Sequence, residues 1–85
     1  MSHTTVSARI RDFLLQRFPA ARTRGLGDRD HLLENGILDS LGVLDVVAFL
    51  EEAYGISVLD DDLVPEHFQS VEQLTAFVQA KRNGQ

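Results

Sequence analysis

Asp39 and Ser40 stand side by side where a helical pattern begins, and both residue types are preferred as helix N-caps. Only one residue can fill that position. If Asp39 is the cap, Ser40 becomes the first helical residue and its hydroxyl can face water at the positive end of the helix dipole. An anionic ester built on that oxygen would lie in a favourable field. The simpler interpretation is that the pair serves helix capping alone.

A hydrolase built on Ser40 would need His31 or His67 as its base. The nucleophile-elbow pattern places glycine two residues before the serine, and Leu38 stands there instead. A chain of 85 residues also has little room for a substrate pocket. We therefore predict no catalytic residue and assign both histidines to the surface or to loops.

Two acidic groupings could suggest a cation site, namely Asp28 with Asp30 and residues 60–62. Neither has the central glycine and terminal glutamate of a calcium loop, so we predict no metal site. The chain has no cysteine, which removes disulfides and thiolate ligands and fits a reducing compartment. The sequence shows no signal-peptide pattern and no run of about 20 apolar residues, so we expect a cytoplasmic protein without membrane contact.

Charge is distributed unevenly along the chain, whose net charge is -5. Residues 1–29 carry six arginines against two aspartates, whereas residues 30–80 contain eleven acids and no lysine or arginine. An acidic middle segment disfavours nucleic acid, because phosphate binding needs clustered basic side chains. We expect a basic partner for the middle segment and a solvated surface for the arginines.

Helical periodicity dominates the chain, and it predicts one all-α domain over residues 1–85 with its core in about residues 5–82. Residues 56–59 are apolar but have no second strand to pair with. We predict a first helix over residues 5–18, capped by Thr4 or Thr5, and then a loop over residues 19–38 that Leu26, Leu32, Leu33 and Ile37 attach to the core. A second helix ends at Tyr54 and Gly55, and a short third helix lies within residues 60–68. A fourth helix runs from a Ser70/Gln73 capping box to Asn83 and Gly84.

The second helix has two contrasting faces. One face is apolar and predicts the core contact, carrying Val43, Val46, Val47, Leu50 and Tyr54. The opposite face mixes acids with aliphatic residues: Leu41, Leu44, Asp45, Ala48, Glu52 and, at its margin, Glu51. Such a mixture is typical of a reversible docking surface, in which acids steer a basic partner and aliphatics supply contact area. The alternative is that Leu41 and Leu44 simply belong to a wide buried arc.

Residues 34–42, with the sequence Glu-Asn-Gly-Ile-Leu-Asp-Ser-Leu-Gly, resemble the phosphopantetheine attachment region of acyl and peptidyl carrier proteins. The resemblance extends over roughly residues 5–82 and includes the long loop, the acidic second helix and the start of the fourth helix. It implies a four-helix bundle with a long loop between helices one and two and a short third helix. Gly42 departs from the acidic or polar residue that many members have there.

The resemblance implies a role for each matching position. A phosphopantetheinyl transferase would attach 4′-phosphopantetheine from coenzyme A to Ser40 with the help of magnesium, and Asp39 would support its recognition. Partner enzymes would read a surface formed by Leu41, Leu44, Asp45, Ala48, Glu51 and Glu52.

The implied function is transport of a thioester-bound acyl or aminoacyl group, without catalysis by the carrier itself. Its partners would be the transferase, an acyl- or aminoacyl-loading enzyme and a downstream synthase or transferase, in polyketide, nonribosomal peptide or related biosynthesis. Glyceryl carriers also fit, and we expect a freestanding monomer. The alternative is an acidic helical interaction module that has no prosthetic group.

Overall fold

The computed structural model describes residues 5–83 of the chain. This part contains four α-helices and two short 3₁₀ turns. The α-helices are α1 (Val6–Arg17), α2 (Pro19–Arg24), α3 (Ser40–Tyr54) and α4 (Val71–Arg82), and the 3₁₀ turns Asp60–Asp62 and Pro65–Phe68 lie between α3 and α4. No strand forms within residues 5–83. The all-α prediction is confirmed.

Local capping explains where the predicted helices begin. The Ala8 N–H donates to Thr5 Oγ1 at 3.1 Å, and the Gln73 N–H donates to Ser70 Oγ at the same distance. Only this half of the predicted capping box is found among the hydrogen bonds of the described residues. Gly55 ends α3 in the left-handed region, with φ 65°, which glycine adopts without steric cost. Thr4 and Gly84, the other predicted boundary residues, lie outside the described residues.

The segment predicted as one continuous loop contains helix α2, so that prediction was wrong for its first six residues. Pro19 cannot continue α1 because it lacks an N–H, and the same lack costs nothing at the first position of a new helix. Ala21 then anchors α2 in the core. The rest of the loop crosses the fold as expected: the Leu32 N–H donates to the Gln69 carbonyl at 2.7 Å, and Leu32 and Ile37 are buried.

The predicted third helix is divided into two 3₁₀ turns. Pro65 opens the second turn, and Val64 before it is extended, with φ -114° and ψ 147°. A residue that precedes proline is disfavoured in the helical region, which explains the interruption. The second turn ends at Phe68, whose side chain is buried against Phe77 of α4 with ring centroids 6.2 Å apart.

The core lies where α1, α3 and α4 meet. The Phe13 and Phe49 rings stack at 4.3 Å and join α1 to α3. Buried apolar side chains from every α-helix and from the loops fill the centre: Ile10, Leu14, Ala21, Leu32, Ile37, Leu38, Val46, Leu50, Phe68, Val71, Leu74, Phe77 and Val78. Val46 and Leu50 are therefore on the predicted core face of α3, and Val43, Val47 and Tyr54 pack partly buried beside them.

An ion pair ties the first 3₁₀ turn to α4. Lys81 Nζ lies 2.6 Å from Asp62 Oδ2, with the two side chains only 15% and 20% exposed. The Lys81 ammonium holds the pKa of the Asp62 carboxyl below its ordinary value of 3.8, and the Leu59 N–H that donates to Asp62 acts in the same direction.

Replacing Asp62 with Asn is expected to lower stability at neutral pH and to matter less in acid. Because the pKa of Asp62 is lower in the folded protein than in the unfolded chain, the pair stabilises fully above about pH 3.8 and loses its effect as pH falls through the lowered pKa. Urea unfolding of wild type and Asp62→Asn, measured from neutral pH down to a pH below the lowered pKa of Asp62, checks this difference in stability. Asp61→Asn, at an exposed neighbour, is the control, and a wild-type advantage that persisted below both pKa values would contradict the assignment.

Candidate functional site

Asp39 caps helix α3 and leaves Ser40 as its first residue. The Gly42 N–H donates to Asp39 Oδ1 at 2.7 Å, and the Val43 N–H donates to the Asp39 carbonyl at 2.9 Å. Asp39 itself has extended backbone angles, as an N-cap requires. Asp39 is therefore the N-cap and Ser40 the first helical residue, which is one of the two arrangements that the sequence left open.

Ser40 is exposed at the N-terminal end of α3. Its hydroxyl makes no hydrogen bond with any described residue, so the oxygen is available for reaction from solvent. The helix end supplies partial positive charge and backbone donors, which favour a phosphate group. An exposed hydroxyl at such a helix end fits the attachment of a phosphodiester-linked arm.

An open apolar groove of about 280 Å³ begins beside Ser40. It runs between the first turns of α3 and the segment that joins the two 3₁₀ turns, and it is lined by Leu33, Ser40, Val43, Leu44, Leu63, Val64, Pro65 and Phe68. Sequence reasoning did not place Leu63 at the site, and no periodic signal in residues 59–64 pointed to it. A group attached to Ser40 would have apolar surface within reach.

The outer face of α3 is solvent-exposed. Leu41 is 74% exposed and Leu44 is 57% exposed, and both Ala48 and Glu52 are exposed further along the helix. Leu41 and Leu44 lie one turn apart, so their side chains are neighbours on this exposed face. The alternative that Leu41 and Leu44 belong to the core is wrong.

Two of the three acids predicted on this face are engaged within the molecule. Asp45 Oδ1 lies 3.4 Å from Arg17 Nη2 at the end of α1. Glu51 Oε2 accepts a hydrogen bond from the Val58 N–H at 2.9 Å and so holds the segment that follows α3. Glu52 forms no ion pair with a described residue. Sequence reasoning missed Arg17, because its contact joins two distant segments of the chain.

Gly42 is buried under Phe18, the residue between α1 and α2. A Cβ atom at position 42 would lie 3.0 Å from Phe18 Cε1 and 3.2 Å from Leu38 Cδ2. Both distances are shorter than the separation at which carbon atoms attract each other best. A side chain at position 42 would therefore require the Phe18 and Leu38 side chains to shift.

The histidines of the hydrolase alternative have partners other than Ser40. His31 Nδ1 lies 2.9 Å from Glu34 Oε1, and His67 Nδ1 lies 2.8 Å from the Asp62 carbonyl while its ring stacks on Phe77. Neither histidine hydrogen-bonds the Ser40 hydroxyl. This arrangement gives no support to a serine nucleophile with a histidine base.

Most arginines of the N-terminal segment make contacts within the molecule. Arg11 pairs with Asp28, Arg29 lies 3.4 Å from Glu72, and Arg22 donates to the Leu15 carbonyl. The Arg9 guanidinium lies 5.3 Å from the centre of the Tyr54 ring. These contacts agree with the surface role that the sequence predicted for the arginines.

Within residues 5–83 no set of three or more side chains is arranged to hold a metal ion, and no helix is long and apolar enough to cross a membrane. No protein-family model matches the chain, and a search of curated proteins finds no match.

Proposed function

We propose that this chain is a carrier protein whose Ser40 receives 4′-phosphopantetheine and holds an acyl or aminoacyl group as a thioester. The observation that carries the proposal is the exposed, uncommitted Ser40 hydroxyl at the start of a helix capped by Asp39. The same dipeptide lies within a sequence segment that resembles the attachment region of carrier proteins. The exposure of the hydroxyl and the sequence resemblance therefore both indicate the Ser40 oxygen as the attachment atom.

In the attachment step the carrier supplies the Ser40 oxygen, and the transferase supplies the catalysis. A phosphopantetheinyl transferase with magnesium would direct the Ser40 oxygen onto the pyrophosphate phosphorus nearest the pantetheine. A new phosphorus–oxygen bond forms, the bond to adenosine 3′,5′-bisphosphate breaks, and the serine proton passes to the transferase. The N-terminal end of α3 favours the resulting phosphodiester anion. The thiol of the arm supplies the thioester chemistry that a chain without cysteine lacks.

We further propose the architecture of the carrier family, with α1, α3, the 3₁₀ segment and α4 in the places of its four helices. Helix α2 is then an addition within the long first loop. The element order supports this proposal, as does the position of Ser40 at the start of the longest helix. Val46 and Leu50 bury the inner side of that helix in the core, which suits a platform for a mobile arm.

The partners follow from this role. They are the phosphopantetheinyl transferase, an enzyme that loads the acyl or aminoacyl group, and a synthase or transferase that removes it. We propose a monomer that works in the cytoplasm in polyketide, nonribosomal peptide or related biosynthesis. Tethering would raise the effective concentration of the thioester at each active site. Docking should be weak and brief so that one arm can visit several enzymes.

A second candidate is an interaction module without a prosthetic group, which binds its partner through the outer face of α3. This docking face consists of Leu41, Leu44, Asp45, Ala48, Glu51 and Glu52. The exposed pair Leu41 and Leu44 favours it, because this surface could bind a partner without any contribution from Ser40. The two candidates differ in one respect only, which is whether the hydroxyl becomes esterified.

Mass measurement separates the two candidates. The full chain is incubated with coenzyme A, magnesium and a broad-specificity phosphopantetheinyl transferase, and a parallel reaction lacks the transferase. We expect the mass of one phosphopantetheine group to be added per chain, in the complete reaction alone. If several different transferases leave the mass unchanged, the interaction module becomes the better account.

A further inference from the structure

Arg17 and Asp45 meet at the edge of the docking face, where the last residue of α1 approaches the outer side of α3. Arg17 Nη2 lies 3.4 Å from Asp45 Oδ1, and the two side chains are 57% and 44% exposed. On the basis of the proposed function, we infer that Arg17 competes with docking enzymes for Asp45. A basic side chain of the partner must displace Arg17 to take its place on Oδ1, and one that pairs with Oδ2 meets the positive charge of Arg17 nearby.

The pair has the properties of a contact that can be exchanged. It is long and solvent-exposed, unlike the pair of Lys81 with Asp62 at 2.6 Å, whose side chains are 15% and 20% exposed. Exposed pairs stabilise so little that replacing one cation by another changes the equilibrium only about two- to fivefold. Arg17 therefore weakens docking without preventing it.

Asp45 lies where a partner that covers the two exposed leucines of α3 must also come close to it. Residues three and four apart are neighbours on a helix surface, so Asp45 lies directly beside Leu41. Any partner that covers Leu41 and Leu44 must approach Asp45 and its arginine. Two turns further along, Glu52 forms no ion pair with a described residue, whereas Glu51 is committed to the Val58 N–H.

These charges define the partner surface that fits. It offers an apolar recess for Leu41 and Leu44, and it has two basic side chains separated by about 10 Å, the rise of seven helical residues between Asp45 and Glu52. The basic residue that faces Glu52 meets no competitor among the described residues. The one that faces Asp45 must replace Arg17 or pair with the acid beside its positive charge.

The test compares rates of phosphopantetheine transfer to wild type, Arg17→Gln and Arg24→Gln. Arg24 is exposed and forms no ion pair with a described residue, so its variant changes the net charge equally without altering Asp45. At low salt we expect Arg17→Gln to raise kcat/KM about two- to fivefold above Arg24→Gln, through a lower KM at constant kcat. The difference should disappear in about 1 M salt and in the Asp45→Asn background.

Each result decides a different question. If wild type is modified but Arg17→Gln behaves like Arg24→Gln, the competition is refuted and the carrier function remains. A slower Arg17→Gln also refutes it, since Arg17 would then be a contact for the partner. If no transferase modifies wild type, the proposed function fails and the inference fails with it.

Discussion

Ser40→Ala is expected to abolish phosphopantetheine transfer completely while leaving the fold intact. The substitution removes the only atom to which the arm can be attached under the proposed function. The Ser40 hydroxyl makes no hydrogen bond with a described residue, and the side chain is exposed, so the free energy of unfolding should change by no more than about 0.5 kcal/mol. Intact mass and thermal unfolding, measured on the same preparation, check both parts.

Ser57→Ala is the matched control for this prediction. Ser57 is also exposed, but it follows the C-terminal end of α3, where the helix dipole disfavours an anion. The Ser57 variant should accept the arm as wild type does. Transfer to Ser40→Ala at the wild-type rate would show that a different side chain is the acceptor, and the proposed site would have to be abandoned.

Leu50→Ala is expected to destabilise the protein by about 2–5 kcal/mol, whereas Leu44→Ala should leave stability nearly unchanged. Both leucines belong to α3, but Leu50 is fully buried and Leu44 is 57% exposed. Removing Leu50 leaves a cavity beneath the helix. The loss is large for a chain of this size, whose total stability should be about 4–13 kcal/mol.

The order of the two effects should be reversed when docking is measured, with Leu44→Ala lowering kcat/KM for arm transfer more than Leu50→Ala does. Truncation of an exposed contact residue such as Leu44 is expected to lower kcat/KM for arm transfer about fivefold, since interface truncations that matter cost about 1 kcal/mol or more. Leu50→Ala, measured at a temperature where it is still folded, should remain close to wild type. Equal transfer rates for Leu44→Ala and wild type would remove this leucine from the docking face.

Features fixed by neighbouring residues could be predicted from the sequence. The residue types within one helical turn predicted a cap at Asp39 or Ser40, and the structure shows that Asp39 is the cap. Helical periodicity placed Leu50 on the buried face of α3, but it left open whether Leu41 and Leu44 belong to the core, and the structure shows both exposed. The candidate site itself was proposed from the resemblance of residues 34–42 to the attachment region of carrier proteins.

Contacts between distant segments were not predictable in the same way. Whether Asp45 faces only solvent or meets Arg17 depends on how α1 and α3 cross, which no local pattern specifies. The same is true of Glu51, which holds the Val58 N–H, and of Gly42, which lies under Phe18. Helix α2 was missed for another reason, because Pro19 was interpreted only as the end of one helix and not also as the start of the next.

The close approach of Phe18 to Gly42 has a mechanical consequence for a tethered cargo. With the aromatic ring resting on the first turn and Asp39 bonded to the same glycine, the anchoring point has little freedom to tilt. Under the proposed function, the volume that the cargo can reach is then set by the length of the phosphopantetheine arm, measured from its attachment point at Ser40. Under the proposed function, each partner enzyme would have to bring its active site within reach of the arm, because Phe18 and Asp39 both hold the start of α3.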